Sequence, residues 1–243
     1  NWSRRLRFET EFAFFHEWNS SFRCCELRSG VAEGRVSNPF REDLVSRNRP
    51  EACTVVIFGA TGDLTHRKLV PALYNLAVDG ELPPGVQIIG FARRDWTDEF
   101  FREGLEKLNR KVSRTGHDEE LWDSLAPNIS YHQSEFQDEE GYAALAAKLD
   151  AIDEERGAKG NRLFYIASAP EYFDDILLNL KKAGLSEERE GCWSRVIVEK
   201  PFGTTLATAQ HLNQVVNGTF EEKDTYRIDH YLGKETAQNI MVL

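Results

Sequence analysis

The chain has 243 residues, 41% of them apolar, enough to bury a substantial core and too many for a chain disordered throughout. Thirty basic residues against forty acidic ones leave a net charge of −10, which excludes a broad basic face for nucleic acid. No apolar run approaches the roughly 18–20 residues of a membrane span, so neither nucleic acid nor membrane is an expected partner.

The first fifty residues differ from the rest. They hold nine Arg, no Lys and seven acids, a net of +2 against −12 for the remainder. Their acids argue against a transit peptide, and no apolar h-region marks a signal peptide, so residues 1–37 read as a leader of doubtful order. The chain begins with Asn1, its one methionine is Met241, and its apolar end reads as an interrupted element. The expectation is a piece of a longer protein.

From residue 53 the pattern becomes regular. Residues 53–58 are a continuous apolar run bounded by Gly59, the mark of a buried parallel strand. Leu64, Leu69, Leu73 and Leu76 then recur at helical spacing, with Pro71 at a helix start or kink. Residues 86–91 form a second predicted strand. A charged amphipathic helix over 97–114 follows, with Phe100, Phe101, Leu105 and Leu108 facing inward. Further strands are expected at 129–132, 162–167 and 195–198, with helices at 139–156 (capped by Asp138), 171–183 and 205–217. Alternating strands and helices predict an α/β fold, a Rossmann-like doubly wound parallel sheet.

Cys24, Cys25, Cys53 and Cys192 form no CxxC pair, and six scattered histidines form no metal-ligand pattern, so no metal site is expected. Reduced thiols fit a cytoplasmic protein. The chemistry concentrates elsewhere. The turn Gly59-Ala60-Thr61-Gly62-Asp63-Leu64-Thr65 follows the first strand, where a tight glycine turn and a helix N-terminus suit a pyrophosphate. It is a GxxG turn, less specific than GxGxxG. At the end of the second strand stand Arg93 and Arg94, where an acid would mark NAD, so NADP is the expected cofactor. Asp95 leaves a ribose 2′-hydroxyl open. Arg227-Ile-Asp-His-Tyr-Leu-Gly-Lys-Glu235 packs an acid, an imidazole, a phenol and an ammonium within six residues; His, Tyr and Lys can donate to a phosphate and Asp can orient a histidine.

RIDHYLGKE (227–235), with GATGDLTHRKLVPALYNL (59–76) and VEKPFG (198–203) in that order, resembles glucose-6-phosphate dehydrogenase. The resemblance runs from about Asn38 to Leu243, and residues 38–44 are similar to the leader of cyanobacterial and plastid-type members. It implies a NADP-binding domain over 38–203 and the incomplete start of an α+β substrate and dimerisation domain over 204–243. It implies oxidation of glucose 6-phosphate with hydride transfer to NADP+, by a homo-oligomer in the cytoplasm or a plastid. Gly59, Ala60, Thr61, Gly62, Asp63, Leu64 and Thr65 would form the dinucleotide turn, with Thr61 and Arg93 near the 2′-phosphate and Lys68 on the cofactor side. Glu135 and Phe136 match a cofactor-contacting pair whose first member is often Asp. Lys200 would reach substrate and nicotinamide, and the bond to Pro201 is a candidate cis peptide. His230, Tyr231 and Lys234 would bind the 6-phosphate and neighbouring hydroxyls. Asp229 would orient a catalytic histidine some sixty residues beyond the motif, so the 243 residues alone would be inactive. Glu199-Lys200-Pro201 alone also permits another NADP-linked sugar dehydrogenase, and a non-catalytic nucleotide-binding module stays open.

Overall fold

A computed structural model describes residues 51–228, apart from 84, 114, 115, 157–159 and 190. The leader and the residues from Asp229 onward lie outside the described residues. Six strands form one sheet: β1 (Thr54–Phe58), β2 (Gln87–Ala92), β3 (Ile129–Gln133), β4 (Arg162–Ile166), β5 (Ser194–Glu199) and β6 (Thr225–Ile228). Their order is β3-β2-β1-β4-β5-β6, and each neighbouring pair is parallel. The chain therefore winds outward from β1 in one direction, then returns to β4 on its other side. The reversal opens a crevice at the carboxyl ends of β1 and β4, where doubly wound sheets bind ligands.

Both faces of the sheet are covered, which is why β1, β2 and β4 are buried at every position and, after the polar residues that open them (Thr54, Gln87 and Arg162), read as apolar or small-residue runs. Val55, Ile57 and Ile88 pack beneath α1 (Val70–Val78), α2 (Asp98–Val112) and α3 (Glu119–Leu125), through Leu73, Tyr74, Phe101, Leu105 and Trp122. Val56, Phe58, Ile89 and Phe91 pack on the other face beneath α4 (Glu139–Arg156), α5 (Phe173–Lys182) and α6 (Leu206–Thr219), through Tyr142, Leu145, Ile176 and Val216.

The helix after β1 is irregular for a local reason. Pro71 has no N–H, and its ring would strike the carbonyl four residues earlier in an unbroken α-helix. The chain instead makes a π-helical turn over Thr65–Leu69, with Val70 N–H donating to the Thr65 carbonyl, and Pro71 sits at the start of α1. Thr97 caps α2, its hydroxyl accepting the Phe100 N–H at 3.2 Å, while Asp98 and Glu99 open the helix and Arg110 and Lys111 close it in accord with its dipole. Asp138 accepts the Glu140 N–H at 3.2 Å at the start of α4.

Three expectations need revision. Phe100 does not face inward: it is 55% exposed and leans on Trp96 at 5.1 Å, because Phe101 already occupies the core-facing position. The helix α3 falls within a polar stretch and was not expected, although Asp118 caps it by accepting the Leu121 N–H at 3.1 Å. The sheet also continues past residue 203, the expected end of the cofactor domain, because α6 crosses over and returns the chain as β6 beside β5. No helix among the described residues is long and apolar enough to cross a membrane.

Gly90 shows how closely the layers meet. A Cβ there would lie 2.8 Å from Ala60 Cβ and 2.8 Å from Phe101 Cε1, so the absent side chain lets the β1 turn and α2 rest on β2. Gly104, in α2, has open space where its Cβ would be. Gly90→Ala should therefore cost about 1–3 kcal/mol through overpacking. Gly104→Ala should add about 0.5–1 kcal/mol through helix propensity. Opposite shifts of the midpoint in thermal unfolding check the pair.

Candidate functional site

The turn after β1 is built by its own backbone. Gly59 adopts φ +86°, and a Cβ there would lie 2.7 Å from the Ala167 carbonyl oxygen at the end of β4, so only glycine fits. The N–H groups of Gly59 and Ala60 both donate to the Phe91 carbonyl, at 3.0 and 3.2 Å, tying the turn to β2. Gly62 N–H donates to the Gly59 carbonyl at 2.8 Å, and the buried Thr65 hydroxyl donates to the same oxygen at 3.2 Å. Gly59, Ala60, Gly62 and Thr65 thus shape the turn from within. Thr61 and Leu64 are part-exposed and Asp63 is exposed where the helix opens, and the leading N–H groups of a helix point to an anion. Asp63 is 3.5 Å from Arg67, and Lys68 is exposed in the same π-helical turn. His66 lies edge-on to Trp96 at 6.2 Å, and burial lowers the pKa of its imidazole from the ordinary histidine value.

The end of β2 carries Arg93, Arg94 and Asp95, all exposed. The two arginines diverge. Arg94 stacks over Trp96 at 5.3 Å, while Arg93 lies 5.6 Å over the Tyr172 ring, with its Nε 3.8 Å from Glu135 Oε2. Only Arg93 leans across the carboxyl ends of the central strands, toward the segment after β4. Phe136 does not present its ring to this surface. It is 5% exposed, stacks on Phe91 at 6.0 Å and supports Tyr172 at 5.1 Å, and its carbonyl accepts from Tyr142 and Asn179, each at 3.1 Å. Tyr172 is the residue that sequence reasoning missed. An aromatic two residues past a proline reads as core, and only the contact with Arg93 assigns it to the site.

The third part stands at the end of β5. The Lys200–Pro201 peptide bond is cis, in accord with expectation, and Lys200 is exposed. Lys200 N–H donates to the Ile228 carbonyl at 3.2 Å, continuing a register in which Glu199 faces Ile228. The Tyr165 hydroxyl, whose pKa burial and the neighbouring carboxylate keep well above the usual phenol value, donates to Glu199 Oε1 at 2.5 Å. Lys200 is therefore held at the point where β6 leads into Asp229, His230, Tyr231 and Lys234, residues that lie outside the described region.

At about 4.8 Å per strand, β2 and β5 stand about 14 Å apart, so one edge of the sheet spaces Arg93, the glycine turn and Lys200 along a line. Cations on that edge of an acidic chain favour an extended anionic ligand. No cluster of metal-ligating side chains occurs among the described residues.

Comparison with known proteins bears on this arrangement. The family model described as glucose-6-phosphate dehydrogenase, NAD binding domain, matches residues 56–239. The glucose-6-phosphate 1-dehydrogenase of Chlamydia muridarum is 48% identical over 195 residues, covering 79% of this chain and 38% of the relative. Glucose-6-phosphate 1-dehydrogenase 2 of Mycobacterium bovis is 45% identical over 219 residues, covering 89% of this chain and 43% of the relative. Among solved structures, a glucose-6-phosphate dehydrogenase in complex with its substrate glucose-6-phosphate superposes with a TM-score of 0.70 at 36% identity, over 79% of this chain and 39% of that one. The enzyme from Mycobacterium avium does so with a TM-score of 0.64 at 33% identity, over 74% of this chain and 37% of that one. The chain spans about two fifths of the length of these curated relatives. With a glycine turn after β1, a doubly wound sheet and a family match running from β1 past β6, this chain belongs to the glucose-6-phosphate dehydrogenase family, within its NAD-binding domain.

Proposed function

We propose that the protein oxidises C1 of D-glucose 6-phosphate to 6-phosphoglucono-1,5-lactone with NADP+ as hydride acceptor, and that this chain carries the cofactor site and one wall of the substrate site. The observation that supports the reading is the β5–β6 register, which ties Lys200 to Ile228, the residue that precedes Asp229 in the chain. The missing side chain at Gly59 lets the turn rest on the Ala167 backbone, and at Gly62 a Cβ would meet only the Gly59 carbonyl oxygen, so the turn's outer backbone is open to a dinucleotide held close to it. When bound, NADP+ supplies the two-electron acceptor that no amino-acid side chain provides.

The protein residues have separable tasks. The helix-leading N–H groups from Asp63 to Thr65 receive the pyrophosphate, and Thr61 and Arg93 receive the 2′-phosphate. Glu135 steadies Arg93, Phe136 acts through its packing under Tyr172, and Lys68 adds positive charge on the same side. Lys200 donates toward both ligands and aligns C1 with the nicotinamide, the proximity that hydride transfer requires. His230, Tyr231 and Lys234 grip the 6-phosphate and supply remote binding energy for that alignment. Asp229 orients the histidine base that removes the C1 hydroxyl proton. On the same reading the protein is a cytoplasmic homo-oligomer, with the chain beyond β6 leading toward the substrate and dimerisation domain. Four cysteines without disulfide-framework spacing fit that compartment.

In the full-length protein, NADPH formation followed by absorbance should be supported by glucose 6-phosphate far better than by free glucose. His230→Ala should raise KM for the phosphorylated sugar about tenfold or more while the activity on glucose changes little; equal losses on both sugars would remove His230 from the phosphate site. Lys200→Ala should lower kcat by at least about a hundredfold with the affinity for NADP+ nearly retained, as measured by nucleotide titration. Arg93→Ala should weaken 2′,5′-ADP about tenfold to a hundredfold and leave 5′-AMP unchanged, from the loss of charge-assisted hydrogen bonds to the 2′-phosphate alone.

A further inference from the structure

Arg93 poses a physical problem. Its side chain is 53% exposed, and its ion pair with a 59% exposed Glu135 spans 3.8 Å. Pairs of that kind contribute about 0–1 kcal/mol, too little to hold a long side chain in one place. A guanidinium that must meet a phosphate with defined geometry needs its backbone fixed instead.

The structure supplies the fixation from an adjacent strand. Tyr131, in β3, directs its hydroxyl at two carbonyls, Arg94 at 2.8 Å and Ala92 at 3.1 Å, which bracket the Arg93–Arg94 dipeptide. One hydroxyl proton is shared between two acceptors in a three-centre bond. Each carbonyl also accepts a backbone donor: Ser134 N–H at 3.1 Å on Ala92, and Trp96 N–H at 3.0 Å on Arg94. With both sites on each oxygen engaged, the peptide planes on either side of the dipeptide have little freedom to rotate.

Tyr131 is itself a rigid post. It is 6% exposed, its ring packs against Phe101 at 5.2 Å and Trp96 at 6.0 Å, its N–H donates to Asp98 Oδ1 at 2.6 Å, and its carbonyl accepts from Lys148 Nζ at 2.8 Å. Burial, partly offset by the nearby Arg94 charge, pushes its phenol up to about 12, so it remains a donor throughout the physiological range.

We propose that Tyr131 is a positioning residue for cofactor selection: by tying the Ala92 and Arg94 carbonyls it fixes the backbone from which Arg93 addresses a ribose 2′-phosphate. The proposal rests on the reading of Arg93 as the 2′-phosphate ligand. It concerns discrimination between phosphorylated and unphosphorylated ribose, since the hydroxyl of Tyr131 is spent on the two carbonyls that bracket Arg93.

The test is titration of 2′,5′-ADP and 5′-AMP into the full-length protein and its Tyr131→Phe, Arg93→Ala and doubly substituted variants. Tyr131→Phe removes one oxygen and keeps the ring. It should raise Kd for 2′,5′-ADP about fivefold to tenfold and change Kd for 5′-AMP less than about twofold. In the Arg93→Ala background the same substitution should add no further loss of discrimination, because the residue it acts through is gone. The ratio of the two affinities is read on the folded molecules, so partial unfolding of a variant does not mimic the effect. If Arg93→Ala abolishes the discrimination while Tyr131→Phe leaves it intact, Tyr131 has no positioning role although the Arg93 reading stands. A loss from Tyr131→Phe that persists undiminished without Arg93 overturns the coupling. Discrimination that survives Arg93→Ala overturns both.

Discussion

Six strands hydrogen-bonded in parallel must all deliver their carboxyl ends to one edge of the sheet, and the chemistry of this protein follows from that constraint. The glycine turn after β1, the arginines after β2, Glu135 after β3, the Tyr172 segment after β4 and Lys200 after β5 are far apart in the chain. Parallel pairing sets them side by side at intervals of about 4.8 Å. The backbone ladder fixes the spacing, and the buried faces keep the ladder from slipping, because a shift of one residue would exchange the two cores beneath opposite layers of helices.

Within that edge, backbone groups do much of the positioning usually credited to side chains. The Phe91 carbonyl holds the glycine turn, the Ile228 carbonyl holds Lys200, and the Ala92 and Arg94 carbonyls bracket the arginines. Each is an ordinary acceptor at or near the carboxyl end of a strand. Such groups need partners when buried, and here the partners are the segments that carry the ligand-facing residues. The site is thus assembled by the same requirement that keeps strand ends satisfied.

Much of this was legible in order along the chain. Continuous apolar runs identify β1, β2, β4 and β5 because both faces of a parallel strand are buried, and Gly59 and Pro71 declare their conformations through stereochemistry, whereas the cis bond before Pro201 came from the family resemblance. What was not legible has a common cause. β6 is only four residues long, and its burial comes from its neighbour rather than from its composition. Phe100 and Phe101 are equally apolar, and only the rotation of α2 on the sheet sends one to the core and the other to Trp96. Nothing local in the sequence marks Tyr172 or Tyr131 as part of the site. Their hydroxyl or ring contacts with the Arg93 region depend on strands separated by dozens of residues.

The sequence by itself determined the class of fold and the place of the glycine turn after β1, because these rest on local stereochemistry and on the period of apolar residues. Only the tertiary structure decided which of two adjacent arginines leans across the crevice, that Phe136 serves from beneath the surface, and that Lys200 stands at the threshold of the RIDHYLGKE segment. Those outcomes depend on strand register and on which carbonyl each donor can reach, and both are properties of the assembled sheet.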